Sequence, residues 1–337
     1  MGIIIQHPGL LTTVQDEGRF GYAQFGVTPS GPMDVESFNI ANLLVGNAPG
    51  ESALEATFLG PTFSVTEDTV IAVTGADMSP TLNGEDISMY RAVVVPAGST
   101  VKLQAAKNGS RTYVAFRGGL DVPEVMGSRA TSIQNHIGGL NGGKLATGDE
   151  IPIRPAAALP NASSRFVRYN IRRKRENIVR VVLGPQDDYF TEEGLSDFLG
   201  TPYTVSKDFD RMGCRLDGKP IKHKADGNII SDGIMNGSIQ VPSTGLPIIM
   251  LAEHQSTGGY TKIANVISVD LPVIGQCCPA DIIRFQAVSL EEAHRLLKER
   301  QSRMNELIQF MNNPPETRAY KVSVNGKTYD VAVETII

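Results

Sequence analysis

Alternation of apolar and polar residues, more than helical spacing, runs through this chain and predicts short strands over most of its length. Short β-type runs cover Ile3 to Ile5, Thr69 to Thr74, Ala92 to Val95, Val101 to Ala105, where Val101, Leu103 and Ala105 alternate, Thr112 to Phe116 and Ile178 to Leu183. Asn83-Gly84 and Asn108-Gly109 carry the residues that two-residue hairpin turns prefer. Helical spacing predicts three helices. Val35, Phe38, Ala41 and Val45 share one face, with Asp34 as N-cap and Gly46 as stop. Thr191 to Leu199 reads as a short helix ending at Gly200. Leu290, Ala293, Leu297, Met304, Leu307, Ile308 and Met311 follow a Ser289/Glu292 capping box on a long amphipathic helix. Two more alternating runs, Tyr320 to Glu334, flank Asn325-Gly326, a type I′ hairpin signal.

The stretch from Ile229 to Arg284 concentrates turns, polar groups and buried strands. Pro247 to Leu251 lacks alternation, as a strand buried on both faces does, and Glu253, His254, Gln255, Ser256 and Thr257 follow it. This polar cluster is expected where the strand meets solvent. Gly233, Gly237, Gly245, Gly258 and Gly259 are expected in tight turns that bring side chains and amides against a small ligand. Three ordered pairs predict an internal duplication. Gly18-Arg19-Phe20-Gly21 is echoed by Asp210-Arg211-Met212-Gly213, Leu59-Gly60-Pro61 by Asn236-Gly237-Ser238, and Arg117-Gly118-Gly119-Leu120 by Thr257-Gly258-Gly259-Tyr260.

Composition narrows the function classes. A length of 337 residues suits two domains or one doubled domain, and 34 Gly with 20 Pro and no Trp favour many turns. A net charge of -5 argues against nucleic acid or anionic membrane as the main partner. No basic-then-apolar N-terminus and no run of 18 apolar residues occurs, so neither export nor membrane spanning is expected. Cys214, Cys277 and Cys278 form no CxxC pair and read as structural thiols of a cytoplasmic protein. The basic segment from Arg165 to Arg175 reads as a solvated edge between domains.

Familiar catalytic signatures are missing. Gly138, Gly143 and Lys144 approach a phosphate-binding loop, but Leu145 replaces the hydroxyl and no strand-to-helix context surrounds it. The five histidines lack metal-ligand spacing, so no metal is expected. What remains are polar clusters. Arg19 and Arg211 can each clamp a carboxylate or phosphate, or pair with Asp16 and Asp210 as structural bridges. His254 can exchange a proton near neutral pH or satisfy a strand end. Asp16, Arg19, Arg211 and His254 are the catalytic candidates, and Asp34, Gln240, Thr257, Gly258 and Tyr260 the substrate-binding ones. The paired Arg loops would bring Asp16, Arg19, Asp34, Arg211, Gln240, His254 and Thr257 to one cleft between the halves. Arg211→Lys would then reduce activity more than stability.

The segments TVQDEGRFGYAQFGVTPSGPMD (13–34), VTGADM (73–78), FRGGLDVPEVMGSR (116–129), LGPQDDYF (183–190), DRMGCRL (210–216), SDGIMNGSIQVPSTGLPIIML (231–251) and TGGYTKIANVISVDLP (257–272) resemble the allophanate hydrolase subunit 2 family, also called the carboxyltransferase subdomain A and B family. The resemblance runs from about residue 3 to residue 310. It implies a mainly β chain of two cyclophilin-like β-barrel domains, 1–165 and 166–288, followed by a helix and hairpin at 289–337. It also implies a C-type subunit with little activity alone, which works with a B-type, kinase-inhibitor-like partner and a third, hydrolase partner in the ATP-dependent opening of 5-oxoproline. The alternatives it implies are a biotin-dependent carboxyltransferase component served by a biotin carrier, and a non-catalytic antagonist of a kinase inhibitor. The shared substrate is a small amide, which needs positioned hydrogen bonds to become reactive. Tyr320 to Glu334 looks like the leading hairpin of biotin carrier domains, without the Ala-Met-Lys-Met acceptor; an added sheet-edge hairpin is the plainer reading.

Overall fold

The computed structural model describes residues 2–169, 171, 173–312, 318–324 and 327–333. In chain order it begins with β1 (Gly2–His7), β2 (Leu11–Gln15), α1 (Val35–Leu44), β3 (Ala53–Thr57), β4 (Thr62–Val65), β5 (Thr69–Gly75), β6 (Thr81–Leu82), β7 (Glu85–Asp86), β8 (Ala92–Val95), β9 (Thr100–Lys102), β10 (Arg111–Phe116) and β11 (Glu150–Pro152). These strands form two sheets, ordered β11-β1-β4-β9-β6-β7 and β2-β3-β10-β5-β8. There follow β12 (Glu176–Leu183), α2 (Glu192–Gly200), β13 (Tyr203–Phe209), β14 (Gly213–Asp217), β15 (Asn228–Gly233), β16 (Ser238–Val241), β17 (Ile248–Met250), β18 (Thr257–Val266), α3 (Leu271–Gly275) and β19 (Ile282–Ala287). They form a third sheet, ordered β12-β19-β13-β14-β17-β16-β18-β15, in which β12 also pairs with β18. Helix α4 (Leu290–Asn312) and the pair β20 (Arg318–Val324) and β21 (Lys327–Val333) end the described chain.

Period-two patterning decides which face each strand buries. Ile3 and Ile5 of β1 and Phe63 and Val65 of β4 point into one core with Val114 and Phe116 of β10. Strand β10 is buried throughout, because α1 covers its other face and packs Phe38 and Leu44 around Tyr113 and Ala115. The third sheet has its own core of Val179, Val181, Tyr203, Ile239, Ile249 and Phe285. Strands β12 and β19 are parallel, with Glu176 opposite Ile282 and Val181 opposite Ala287, so the chain crosses over between its first and last strands there.

The expected helices form, with Asp34 and Ser289 as the expected caps: Asp34 accepts from Ser37 N at 3.0 Å and Ser289 from Glu292 N at 3.2 Å, while Thr191, expected inside its helix, caps it by accepting from Gly194 N at 3.0 Å. Asn83-Gly84 turns a hairpin between Leu82 and Glu85. Asn108-Gly109 does not. The strands it joins, β9 and β10, belong to different sheets, so the chain there leaves one layer for the other. Strands β20 and β21 pair from Arg318 opposite Val333 to Val324 opposite Lys327, while Asn325 and Gly326 lie outside the described residues.

Other expectations change. Gly118 and Gly119 have φ of 93° and 79° and make a turn, but their proposed echoes Gly258 and Gly259 lie inside strand β18. Gly237 and Gly245 take positive φ as expected, whereas Gly233, Gly258 and Gly259 do not. The basic segment is not simply a solvated edge. Arg165 is buried and donates from Nε to Leu44 O at 2.8 Å, from Nη2 to Leu43 O at 2.7 Å and from Nη1 to Met311 O at 2.5 Å. It satisfies the open carbonyl end of α1 and ties α4 to it. Arg173 pairs with the buried Asp281.

Candidate functional site

The two halves meet on Arg211, in the turn from β13 to β14. Its guanidinium donates from Nε to Glu253 Oε1 at 2.6 Å, from Nη1 to Glu55 Oε1, and from Nη2 to Gly31 O at 2.6 Å and Ser30 Oγ at 3.2 Å. Burial by itself lowers the guanidinium's proton affinity, but the carboxylates of Glu55 and Glu253 more than offset this and raise it. The acids are satisfied in turn. Glu55 Oε2 accepts from Met33 N at 2.9 Å and Tyr113 Oη at 2.8 Å, and Glu253 Oε2 accepts from Ile133 N at 3.1 Å. One buried cation thus pins the Ser30–Met33 turn, strand β3 and the loop at Ile133 to the second half. A second contact lies beside it. Gln276 donates to Asp34 Oδ2 and Arg111 O, each at 2.9 Å, and Arg111 donates from Nη1 to Gly275 O at 2.5 Å.

Glu253 starts the segment that three cavities share. A cleft of about 450 Å³ between the halves is lined by Glu17, Ser30, Met33, Met235, His254 and Ser256. A polar groove of about 290 Å³ lies among Thr28, Gln134, Asn135, Gln255, Ser256 and Thr257. A pocket of about 390 Å³ in the third sheet has Phe209, Met250, Gln240, Gln255 and Tyr260 around it. Gln255 therefore borders the pocket and the groove, and Ser256 borders the groove and the cleft. Phe20 and Met235, 68% and 72% exposed, leave the rim of the cleft apolar.

His254 has a defined tautomer. Its Nδ1 lies 2.7 Å from Gln255 O, and a carbonyl can only accept, so the neutral ring carries its proton on Nδ1 and leaves Nε2 as acceptor. Burial lowers its pKa, partly countered by that hydrogen bond, and keeps the ring neutral at pH 7. The arrangement can therefore bind a small polar molecule and exchange a proton with it. No group of three His, Cys, Asp or Glu able to hold a metal occurs among the described residues. The thiols do not offer a ready nucleophile: burial pushes Cys214 up to about 12 and Cys277 well above its usual range.

The structure separates the expected site residues into two groups. His254, Gln240, Thr257 and Tyr260 surround the 253–257 segment, though they open into three adjoining cavities and not one cleft. Gly258 stands against Gln240, where a Cβ would come within 2.7 Å of Nε2. Asp16, Arg19, Asp34 and Arg211 face protein. Asp16 accepts from Gly18 N at 2.9 Å and Ser128 Oγ at 2.6 Å. Arg19 donates to Val125 O at 2.8 Å and Ala130 O at 2.9 Å, and so is not bridged to Asp16. Asp34 caps α1, and burial raises its pKa. Their neighbours Glu17, Met33 and Val35 reach the cleft in their place. The polar cluster after Pro247–Leu251 meets solvent only in part: Gln255 and Thr257 are exposed and Ser256 half-buried, whereas Glu253 and His254 are buried. Sequence reasoning misses Glu55; its signal is a lone carboxylate in the otherwise compact run ALEAT (53–57).

The pattern of the carboxyltransferase domain, subdomain A and B, matches residues 25–287. The chain is 34% identical over 305 residues to the C-type subunit of Escherichia coli 5-oxoprolinase, covering 90% of this chain and 97% of that one. It is 35% identical over 316 residues to urea amidolyase of Saccharomyces cerevisiae, covering 89% of this chain but 17% of that one. The solved urea amidolyase of K. lactis superposes with a TM-score of 0.85 at 31% identity, over 91% of this chain and 20% of that chain.

Proposed function

The chain belongs to the carboxyltransferase domain, subdomain A and B, family, and from that premise we propose that it is the C-type subunit of an ATP-dependent 5-oxoprolinase. The observation that carries this reading is the nearly end-to-end match to a free-standing C-type 5-oxoprolinase subunit, against a match to only a small part of urea amidolyase. The reaction consumes 5-oxoproline, ATP and water and yields glutamate, ADP and phosphate. A lactam resists hydrolysis because its nitrogen feeds the carbonyl, so the task of this chain is to position the ring and offer hydrogen bonds and a proton acceptor. His254 Nε2 supplies the acceptor. Gln240, Thr257 and Tyr260 supply the polar surface and Gly258 the room beside Gln240; Arg211, through Glu253, anchors the segment that carries His254, while Asp16, Arg19 and Asp34 fix turns and helix α1 of the first half. Nucleotide chemistry and the bond-making step fall to the partners, one B-type and one a hydrolase. The apolar cleft rim supports a partnered reading, and the three unpaired cysteines suit the cytoplasm. Among the described residues, no helix is long and apolar enough to cross a membrane.

The test is reconstitution. The chain is purified with its B-type and hydrolase partners, and ADP and glutamate are followed as 5-oxoproline is added. Coupled formation of the two products at a rate on the order of 10 s⁻¹, with far less from this chain alone, is the expected result. The likeness to urea amidolyase favours a second reading, transfer of a carboxyl group from carboxybiotin to a small amide. Biotin-dependent carboxylation without 5-oxoproline turnover would install that reading. Tight association without any turnover would make the chain an antagonist.

A further inference from the structure

We propose that the pocket in the third sheet, with Gln240 in its wall, binds a compact cyclic amide that carries a carboxylate, and that the Gln240 carboxamide reads the ring's amide edge. The identification of the ligand as a lactam rests on the 5-oxoprolinase reading above. The case for a ligand rests on the pocket itself. Gln240 is 5% exposed, and its Nε2 is buried with no hydrogen-bond partner. Leaving a buried amide unpaired forfeits the hydrogen bonds it made to water, so an orphan of this kind calls for a partner that is not part of the chain. Local backbone geometry re-aims this side chain. The pairing of β16 with β18 slips between Ile239 and Gln240, the signature of a bulge, while Gly258, further along β18 from the Lys262 that faces Gln240, has no side chain to fill the space beside the carboxamide.

The walls are preformed. The Arg111 guanidinium lies 4.8 Å from the centroid of Phe209, and Arg111 is itself fixed to Ser110 Oγ at 3.0 Å. The Asp210–Gly213 turn is closed by Asp210 Oδ1, which accepts from Met212 N at 2.8 Å and Gly213 N at 3.1 Å, while buried Arg211 anchors it from behind. With about 390 Å³, the cavity is sized for a small molecule. A primary carboxamide presents an N–H and a C=O side by side. A five-membered lactam is locked in the cis form and presents the complementary pair along one edge, whereas an open-chain secondary amide is trans and splits them. Phe209 and Met250 suit the ring, and of the charged lining residues Lys207 and Arg215 suit its carboxylate; Asp208 lies beside them, and Asp210 is occupied by its own turn.

The experiment is a calorimetric titration of the purified full-length chain and of the reconstituted complex, with four probes. They are 5-oxoproline, 2-pyrrolidinone (no carboxylate), cyclopentanecarboxylate (no amide) and biotin. Saturable binding of 5-oxoproline is expected, weakened roughly tenfold or more for each of the other three and in Gln240→Met. Gly258→Ala, which crowds the carboxamide, should weaken 5-oxoproline similarly and stands in if Gln240→Met does not fold. Full binding in both variants, no saturable binding to chain or complex, or preference for biotin overturns the assignment. The two readings fail separately. Binding lost in Gln240→Met but no turnover by the complex keeps the pocket and sinks the enzyme reading, and turnover with binding indifferent to Gln240 does the reverse.

Discussion

Arg211 shows how burial turns one residue type from reagent into fastening. An exposed arginine beside a glycine turn is a good clamp for an anion, but all three nitrogens of Arg211 are already engaged, two of them by the buried acids Glu55 and Glu253. Lysine retains the charge yet offers a single ammonium that cannot span two carboxylates on opposite halves. Arg211→Lys is therefore expected to leave a buried acid unpaired and lose roughly 3–5 kcal/mol in urea unfolding. This reverses the sequence expectation that activity would suffer more than stability. A loss below about 1 kcal/mol, with activity abolished, would return Arg211 to the reacting centre.

Helix α1 is the element that joins fold to site, because side chains from elsewhere hold both of its ends. At the N-terminus Asp34 accepts from Ser37 N, Ser37 Oγ at 2.6 Å and Gln276 Nε2 of the other half. At the C-terminus Arg165 takes the carbonyls of Leu43 and Leu44. Asparagine keeps the cap acceptor but turns an N–H toward Gln276, whose Oε1 is held by Ser110 N and Arg111 N at 3.1 Å. Asp34→Asn should cost about 1 kcal/mol and Asp34→Ala roughly 2–4 kcal/mol, since alanine loses the cap and strands the Gln276 donor. Thermal unfolding of the two variants checks the order. Equal losses would mean that the carboxylate's charge, not its geometry, matters. The helix was legible in sequence because Asp34, Val35, Phe38 and Gly46 are local signals. Its contact with Gln276, 242 positions away, was not.

Across the whole molecule, the halves and α4 are knit together by buried polar groups, so stability should respond to pH. Burial lowers the pKa of His254 and of His223 below the unfolded value of about 6.5. Above that value neither state is protonated and the histidines contribute nothing. Below it the unfolded chain binds protons that the native chain resists, so stability falls as pH drops. Asp34 carries the opposite sign: its pKa is raised on folding, so the native state gains relative to the unfolded one as pH falls through the folded value. Denaturant melts from pH 7.5 to 5.5 should show a declining midpoint that flattens in His223→Gln/His254→Gln. An unchanged slope in that double variant would assign the decline to other groups.

The sequence by itself determined the strands whose alternation is strong, the three capped helices, the Asn83-Gly84 hairpin and, through its ordered motifs, the family. All of these are set by neighbours within a few residues or by a pattern fixed along the chain. Only the tertiary structure decided which polar residues reach a cavity. Asp16 and Glu17 are adjacent, as are Asp34 and Val35, yet in each pair the residue facing the cleft is the one the sequence did not assign to the site. Glu55 and Glu253 became the partners of Arg211 because three distant segments close on one another there. A side chain's burial and hydrogen bonds come from such long-range closure, and no spacing along the chain encodes them.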